Sequence, residues 1–236
     1  MSELEQFANL PDGFSGTVRL FPLPNLVLFP GALLPLHIFE PRYCEMLEDA
    51  MADDRVIAMA LLQPGWEADY DNRPGVEPVV CVGRVVTHSP AEDGKHNILL
   101  AGLQRARIVR EQPPTRSYRL ADVALLDDEY SASEAEQRPA LERRLINAFR
   151  GFVPSMSEAQ EQFDQLLSNQ VPLGALTDIV AFTLSLDVEV KQRLLAECNV
   201  DLRAAFLLQL IQGLSGSPSA TAPGQQQSFP PDFSDN

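Results

Sequence analysis

The chain has 236 residues, 45% of them hydrophobic, and carries 33 acidic against 18 basic residues for a formal charge of −15. That length supports one good core or two small ones, and an acidic excess with only two lysines, Lys95 and Lys191, argues against nucleic-acid binding, which draws its affinity mostly from Lys and Arg. Cys44, Cys81 and Cys198 lack Cys-x-x-Cys spacing, so neither a disulfide framework nor a zinc site is expected, and with no basic, apolar leader and no run of about 18 apolar residues a cytoplasmic protein is expected.

Residues 1–16 read as a flexible N-terminus. The next segment, Leu20-Phe-Pro-Leu-Pro-Asn-Leu-Val-Leu-Phe-Pro-Gly-Ala-Leu-Leu-Pro-Leu-His-Ile-Phe-Glu-Pro-Arg-Tyr43, sets apolar strand residues between prolines. Proline donates nothing to a β-ladder and restricts the residue before it, so strands over Thr17–Leu20 and Leu33–Ile38 should be short, bent or at an edge. After Pro41, Tyr43, Met46, Leu47, Ala50 and Met51 recur at helical steps and predict a helix that caps the strands. Glu40 is expected to accept N–H groups at that helix start, and Arg42 to pair with a carboxylate across the barrel mouth.

Further strands are predicted over Val56–Leu62, Val79–His88, Asn97–Ile108 and Tyr118–Leu126, which are rich in Val, Ile and Leu. Glu92-Asp-Gly-Lys95 reads as a hairpin turn because Gly94 can take positive φ. Between Gln63 and Pro78 lies a polar loop with Gly and Pro that carries Trp66 and Tyr70, candidates for partner contact. Arg105, Arg107 and Arg110 form the one local basic cluster, read as a solvated strand face.

From about Ser131 the period changes to that of helices. Leu141, Leu145, Ala148, Phe149 and Phe152 fit one face, Phe163, Leu166 and Leu167 a second, and Leu173, Leu176, Ile179, Val180 and Leu184 a third. Asp187 is expected to cap a run with Leu194 and Leu195 inward, and Asn199 to cap Val200–Leu210. Residues 213–236, poor in aliphatics and rich in Ser, Pro, Gly and Gln, are expected to be a disordered tail, with Phe229 and Phe233 either a docking motif or part of a solubilising segment.

Phe21-Pro-Leu-Pro-Asn-Leu-Val-Leu-Phe-Pro-Gly31 and Leu34-Pro-Leu-His-Ile-Phe-Glu-Pro-Arg-Tyr43 resemble the opening of the Lon protease N-terminal, substrate-binding domain. Val82-Gly-Arg-Val-Val86 and Leu99-Leu-Ala-Gly-Leu-Gln-Arg-Ala-Arg107 are similar to its further signature strands. Leu176-Thr-Asp-Ile-Val-Ala-Phe-Thr-Leu184 and Val190-Lys-Gln-Arg-Leu-Leu-Ala-Glu197 are similar to its helical region. The resemblance covers roughly residues 17–212 and implies an α+β fold in two parts. These are a PUA-like, mostly antiparallel β-barrel lobe with a capping helix over 17–128 and an α-helical bundle over 129–212.

The chain contains no Gly-x-x-x-x-Gly-Lys-[Ser/Thr] loop and no Ser–Lys protease module, so neither catalysis nor a cofactor is expected, and any peptidase label would reflect family name only. The resemblance implies a stand-alone, non-catalytic module of bacterial type that binds unfolded or extended polypeptide or a protein partner, an adaptor or sensor in protein quality control. The expected groove between barrel and bundle is lined by Leu34, Leu36, Ile38 and Met46. His37, Glu40, Arg42, Trp66 and Tyr70 complete the candidate partner-binding residues. The alternative for Leu34, Leu36, Ile38 and Met46 is a place in the core. His37, His88 and His96 read as isolated, without metal-ligand spacing. Two other readings are an RNA-binding PUA-like protein and an enzyme with a small-molecule site between the lobes where Glu40, Arg42 and His37 converge.

Overall fold

The computed structural model describes residues 9–69, 72–91, 94–152 and 171–216. Its strands are β1 (Thr17–Leu23), β2 (Leu33–Ile38), β3 (Val56–Leu61), β4 (Val79–Pro90), β5 (His96–Glu111) and β6 (Arg119–Leu126), and its helices α1 (Pro41–Ala52), α2 (Arg138–Arg150), α3 (Leu173–Thr183), α4 (Val188–Ala196) and α5 (Val200–Gly216). The fold is α+β. Pairings β1–β3, β3–β4, β4–β5, β5–β6 and β6–β1 close a ring in which only β1–β3 is parallel.

The ring is filled by small and β-branched residues because its bore is narrow. Val18, Val56, Ala58, Ala60, Val80, Val82, Ala106 and Ala121 meet inside it, with Leu20 as the one larger side chain of that cluster. The opposite parity of the same strands (Phe21, Ile57, Met59, Leu61, Val79, Cys81) joins a larger core with Met46 and Leu47 of α1 and with Leu145, Phe149, Leu173, Leu176, Val180, Leu194 and Leu207 of the later helices. Strand β3 is therefore buried on both faces, which explains its unbroken apolar run. Because one core spans strands and helices, the space expected as a groove lined by Leu34, Leu36, Ile38 and Met46 is filled by those side chains themselves.

Strand β5 serves two neighbours along one edge. Its first part, His96–Ala101, pairs with β2, and Arg105–Glu111 pairs with β6. Between them Gly102 bonds the crossing segment, accepting from Gly31 N–H at 2.8 Å and donating to Ala32 C=O at 2.8 Å. The Gly94 turn has the expected positive φ of 73°.

Several elements differ from the sequence reading. Strand β1 runs on through Pro22 to Leu23, since β6 pairs only with Thr17–Leu20 and leaves the side of the missing Pro22 N–H without a ladder neighbour. The 63–78 loop contains a 3-10 turn over Trp66–Asp69, and its base is closed by a Leu62–Val76 bridge. Helix α5 continues to Gly216, four residues into the segment read as tail. Asn199 caps α5 as expected, its Oδ1 accepting from Leu202 N–H at 3.1 Å, whereas Asp187 makes no side-chain cap bond. The face expected at Phe163, Leu166 and Leu167 lies outside the described residues, as do residues 1–8 and 217–236.

Candidate functional site

The candidate residues fall on β2 and the α1 start, and strand parity sorts them. Leu34 and Leu36, each 8% exposed, and Ile38, 1% exposed, point into the core. They cannot meet a partner directly, because the α1 side of β2 is dry and packed. The outward parity carries Leu33, 46% exposed, Pro35, His37 and then Phe39, 51% exposed. Across the ladder Leu33 faces Ala101, Pro35 faces Leu99 and His37 faces Asn97, so an apolar strip crosses the outer side of β2 and β5. His37 Nδ1 shares a 2.8 Å hydrogen bond with Asn97 Oδ1, and its ring stacks near Phe39 with centroids 6.0 Å apart.

The same strand leaves one edge without a ladder. Among the described strands β2 pairs only with β5. In an antiparallel pair alternate residues turn both backbone groups away from the partner. Pro35, having no N–H, belongs to that set with Leu33 and His37. The outer edge of β2 thus presents the N–H and C=O of Leu33 and the C=O of Pro35. Leu33 and Phe39 were not anticipated, although their parity opposite Leu34, Leu36 and Ile38 was the available signal.

At the α1 start Glu40 makes no side-chain cap bond. It instead accepts from Arg42 Nε at 3.0 Å and Nη2 at 2.8 Å, so Arg42 pairs with its near neighbour. The Arg42 guanidinium also lies over the Tyr43 ring at 4.7 Å. Trp66 is half-buried in its 3-10 turn, and Tyr70 lies outside the described residues. The structure therefore brings His37, Phe39 and Leu33 to one strand face and leaves Leu34, Leu36 and Ile38 behind it.

Charged groups elsewhere also depart from expectation. Arg105 is not on a solvated face: it is 3% exposed and donates from Nη1 to Asp178 Oδ2 at 2.9 Å, from Nη2 to Asp178 Oδ1, and from Nε to Leu195 C=O at 2.9 Å. Arg203, fully buried, donates to Thr177 Oγ1 at 2.7 Å and to Asp128 Oδ1 at 2.9 Å. Burial pushes the Asp178 carboxyl up while Arg105 pulls it back. Burial opposes the Arg105 charge, yet its two bonds to Asp178 leave that guanidinium raised and cationic. This cluster welds β5 to α3 and α5. Arg105, Asp128 and Asp178 of this cluster line a cleft of about 260 Å³ whose other walls include Leu103, Gln104, Leu126, Asp127 and Ala175.

None of the three cysteines is activated as a nucleophile. Burial pushes the thiols of Cys44, Cys81 and Cys198 up from their ordinary value, keeping them protonated. His88 and His96 are not isolated, since Nε2 and Nδ1 approach to 3.0 Å across the β4–β5 hairpin. No group of three or more metal-ligating side chains occurs among the described residues, and no described helix is long and apolar enough to cross a membrane.

A sequence model described as the ATP-dependent protease La (LON) substrate-binding domain matches residues 17–213. The chain is 27% identical over 195 residues to Lon protease 2 of Myxococcus xanthus, covering 81% of this chain and 23% of that protein. It is 30% identical over 198 residues to Lon protease of Heliobacterium modesticaldum, covering 81% and 23%. The chain thus spans about a quarter of the length of these curated relatives. Its fold is similar to the N-terminal domain of Mycobacterium avium complex Lon protease, with a TM-score of 0.64, 15% identity and coverage of 83% of this chain and 98% of that one. A Lon N-terminal domain protein from Xanthomonas campestris is also similar, with a TM-score of 0.57, 22% identity and coverage of 82% and 97%.

Proposed function

The chain belongs to the ATP-dependent protease La (LON) substrate-binding domain family, and on that premise we propose that it is a non-catalytic module that binds extended polypeptide, acting as a cytoplasmic adaptor or sensor in protein quality control. The observation that carries this reading is the outer side of β2, where half-exposed Leu33 and Phe39 flank a strand edge that no other described strand pairs with. An extended segment added there gains backbone hydrogen bonds from the edge and apolar contact from the strip. Leu34, Leu36 and Ile38 serve by anchoring β2 to the core, not by touching the partner.

The other readings lack such an observation. A chain of charge −15 repels a phosphate backbone. The three residues expected to converge on a small molecule do not do so together: Arg42 pairs with Glu40 while His37 pairs with Asn97, and the cavity that Arg42 lines includes neither Glu40 nor His37.

An array of overlapping peptides from denatured proteins, probed with the purified chain and with Leu33→Asp and Phe39→Asp, tests the proposal. Peptides retained intact by the parent and at least about tenfold more weakly by the variants are the expected result. A blank array with a folded sample, or undiminished binding by both variants, overturns it.

A further inference from the structure

The small cavity where the start of α1 meets the end of the 63–78 loop and the start of β6 is lined by Arg42, Arg73 and Arg119, with Asn72, Ser117 and Tyr118 among its other walls. Among the described residues three guanidinium groups and no carboxylate line it, in a chain where acidic residues outnumber basic ones 33 to 18. Its volume is about 40 Å³, room for a group of a few heavy atoms where one water needs about 10–15 Å³.

Two of the three cations are balanced from behind the cavity wall. Arg42 pairs with Glu40, and Arg119, 7% exposed, binds Glu111 through Nε and Nη2 while its Nη1 donates to Pro74 C=O at 2.7 Å. Arg73 differs. It donates only from Nη1 to Gln112 C=O, at a long 3.4 Å, and among the described residues it has no carboxylate partner. The hydroxyls of Ser117 and Tyr118 are already directed to Glu45 and Asp49. Arg73 thus offers the cavity a planar fork with most of its donors unused, suited to two-point contact with an oxyanion.

We infer that this cavity receives a single oxyanion group, and that Arg73 holds it. A single weakly bonded fork matches one carboxylate carried by a bound polypeptide, an assignment of source that rests on the proposed function; inorganic phosphate is the free anion of the same chemistry.

Fluorescence polarisation at low salt separates the sources. The probes are a short, labelled, N-acetylated peptide of alternating valine and serine, ending in a free carboxylate or an amide, and inorganic phosphate as competitor. Arg73→Gln is the test variant, Arg73→Lys retains charge without the fork, and Arg107→Gln, at an exposed position on β5, controls for net charge. The carboxylate peptide is expected to bind about tenfold more tightly than the amide, with the difference lost in Arg73→Gln, reduced in Arg73→Lys and kept in Arg107→Gln.

Phosphate binding that needs Arg73, without a carboxylate preference, supports the oxyanion site with a free anion as its source. Equal binding of both peptides with no phosphate effect overturns the site and leaves the polypeptide reading standing. No binding of any probe to a folded sample, or an anion effect that survives Arg73→Gln, also overturns the site.

Discussion

Arg105 on β5 and Asp178 on α3 form a two-bonded ion pair buried where the strand ring meets the helices, each side chain 3% exposed. Removing one partner strands the other charge in the core. Asp178→Ala should therefore cost about 3–5 kcal/mol, read as a fall in the urea midpoint with unchanged slope. The double variant Arg105→Met/Asp178→Leu should recover most of that loss, since an apolar pair of similar volume needs no desolvation of charge. A single-variant cost below about 1 kcal/mol would mean that the pair is solvated.

Gly83 and Gly102 are register partners across β4 and β5, at a point where the ladder shifts by a residue. A Cβ on Gly102 would lie 2.1 Å from the Phe29 carbonyl oxygen, and one on Gly83 would lie 2.8 Å from that of Ala101. Both obstacles are backbone, which cannot swing aside. Gly102→Ala should abolish soluble folded protein or displace the 27–32 segment that leads into β2. Gly94→Ala makes the contrast. Its φ is 73° with nothing within 4 Å of a new Cβ, so only the left-handed backbone cost of about 1 kcal/mol applies. Thermal melts of the two variants side by side distinguish collision from conformational strain.

How much of this was legible in the sequence depended on range. Strand and helix positions were readable because Val, Ile and Leu recur with local periods, and the resemblance joined both halves. The orientation of β2 was not, because Leu33 and Pro35 outside are as apolar as Leu34 and Leu36 inside, so alternation carries no polarity signal. Arg105 was misread for another reason. Its partner Asp178 stands 73 residues away, and local alternation cannot distinguish a solvated arginine from one whose carboxylate arrives on a distant helix. Glu40 similarly had two local partners on offer, helix N–H groups and Arg42, and the planar guanidinium won.

The His88–His96 pair predicts a pH dependence. Burial, and then the charges of His96 and Arg55, lower the His88 pKa from its ordinary 6.5. Between the folded value and the unfolded one near 6.5 the unfolded chain binds more protons, so stability rises with pH through that window and falls as pH drops below about 6.5. His96→Gln removes one of the lesser causes, so the His88 titration followed by NMR should move upward but stay below the unperturbed value, and the slope of stability just below about pH 6.5 should flatten. An unchanged His88 titration in His96→Gln would show that the rings do not interact in solution.

Adjacent leucines on β2 offer the sharpest test of which side of the strand faces a partner. Leu34 is 8% exposed against the core, and truncation to Ala should cost about 2–5 kcal/mol through lost burial and the cavity left behind. Leu33, 46% exposed, touches no such core, so Leu33→Ser should change stability by no more than about 0.5 kcal/mol. Polypeptide binding should show the reverse order, with Leu33→Ser weakening it and Leu34→Ala affecting it only as far as the fold loosens. Urea midpoints and peptide affinities measured on the same two samples check both halves. Equal stability losses would mean that the outer side of β2 is packed in solution and closed to a partner. Weakened binding in Leu34→Ala alone would move the site away from that face.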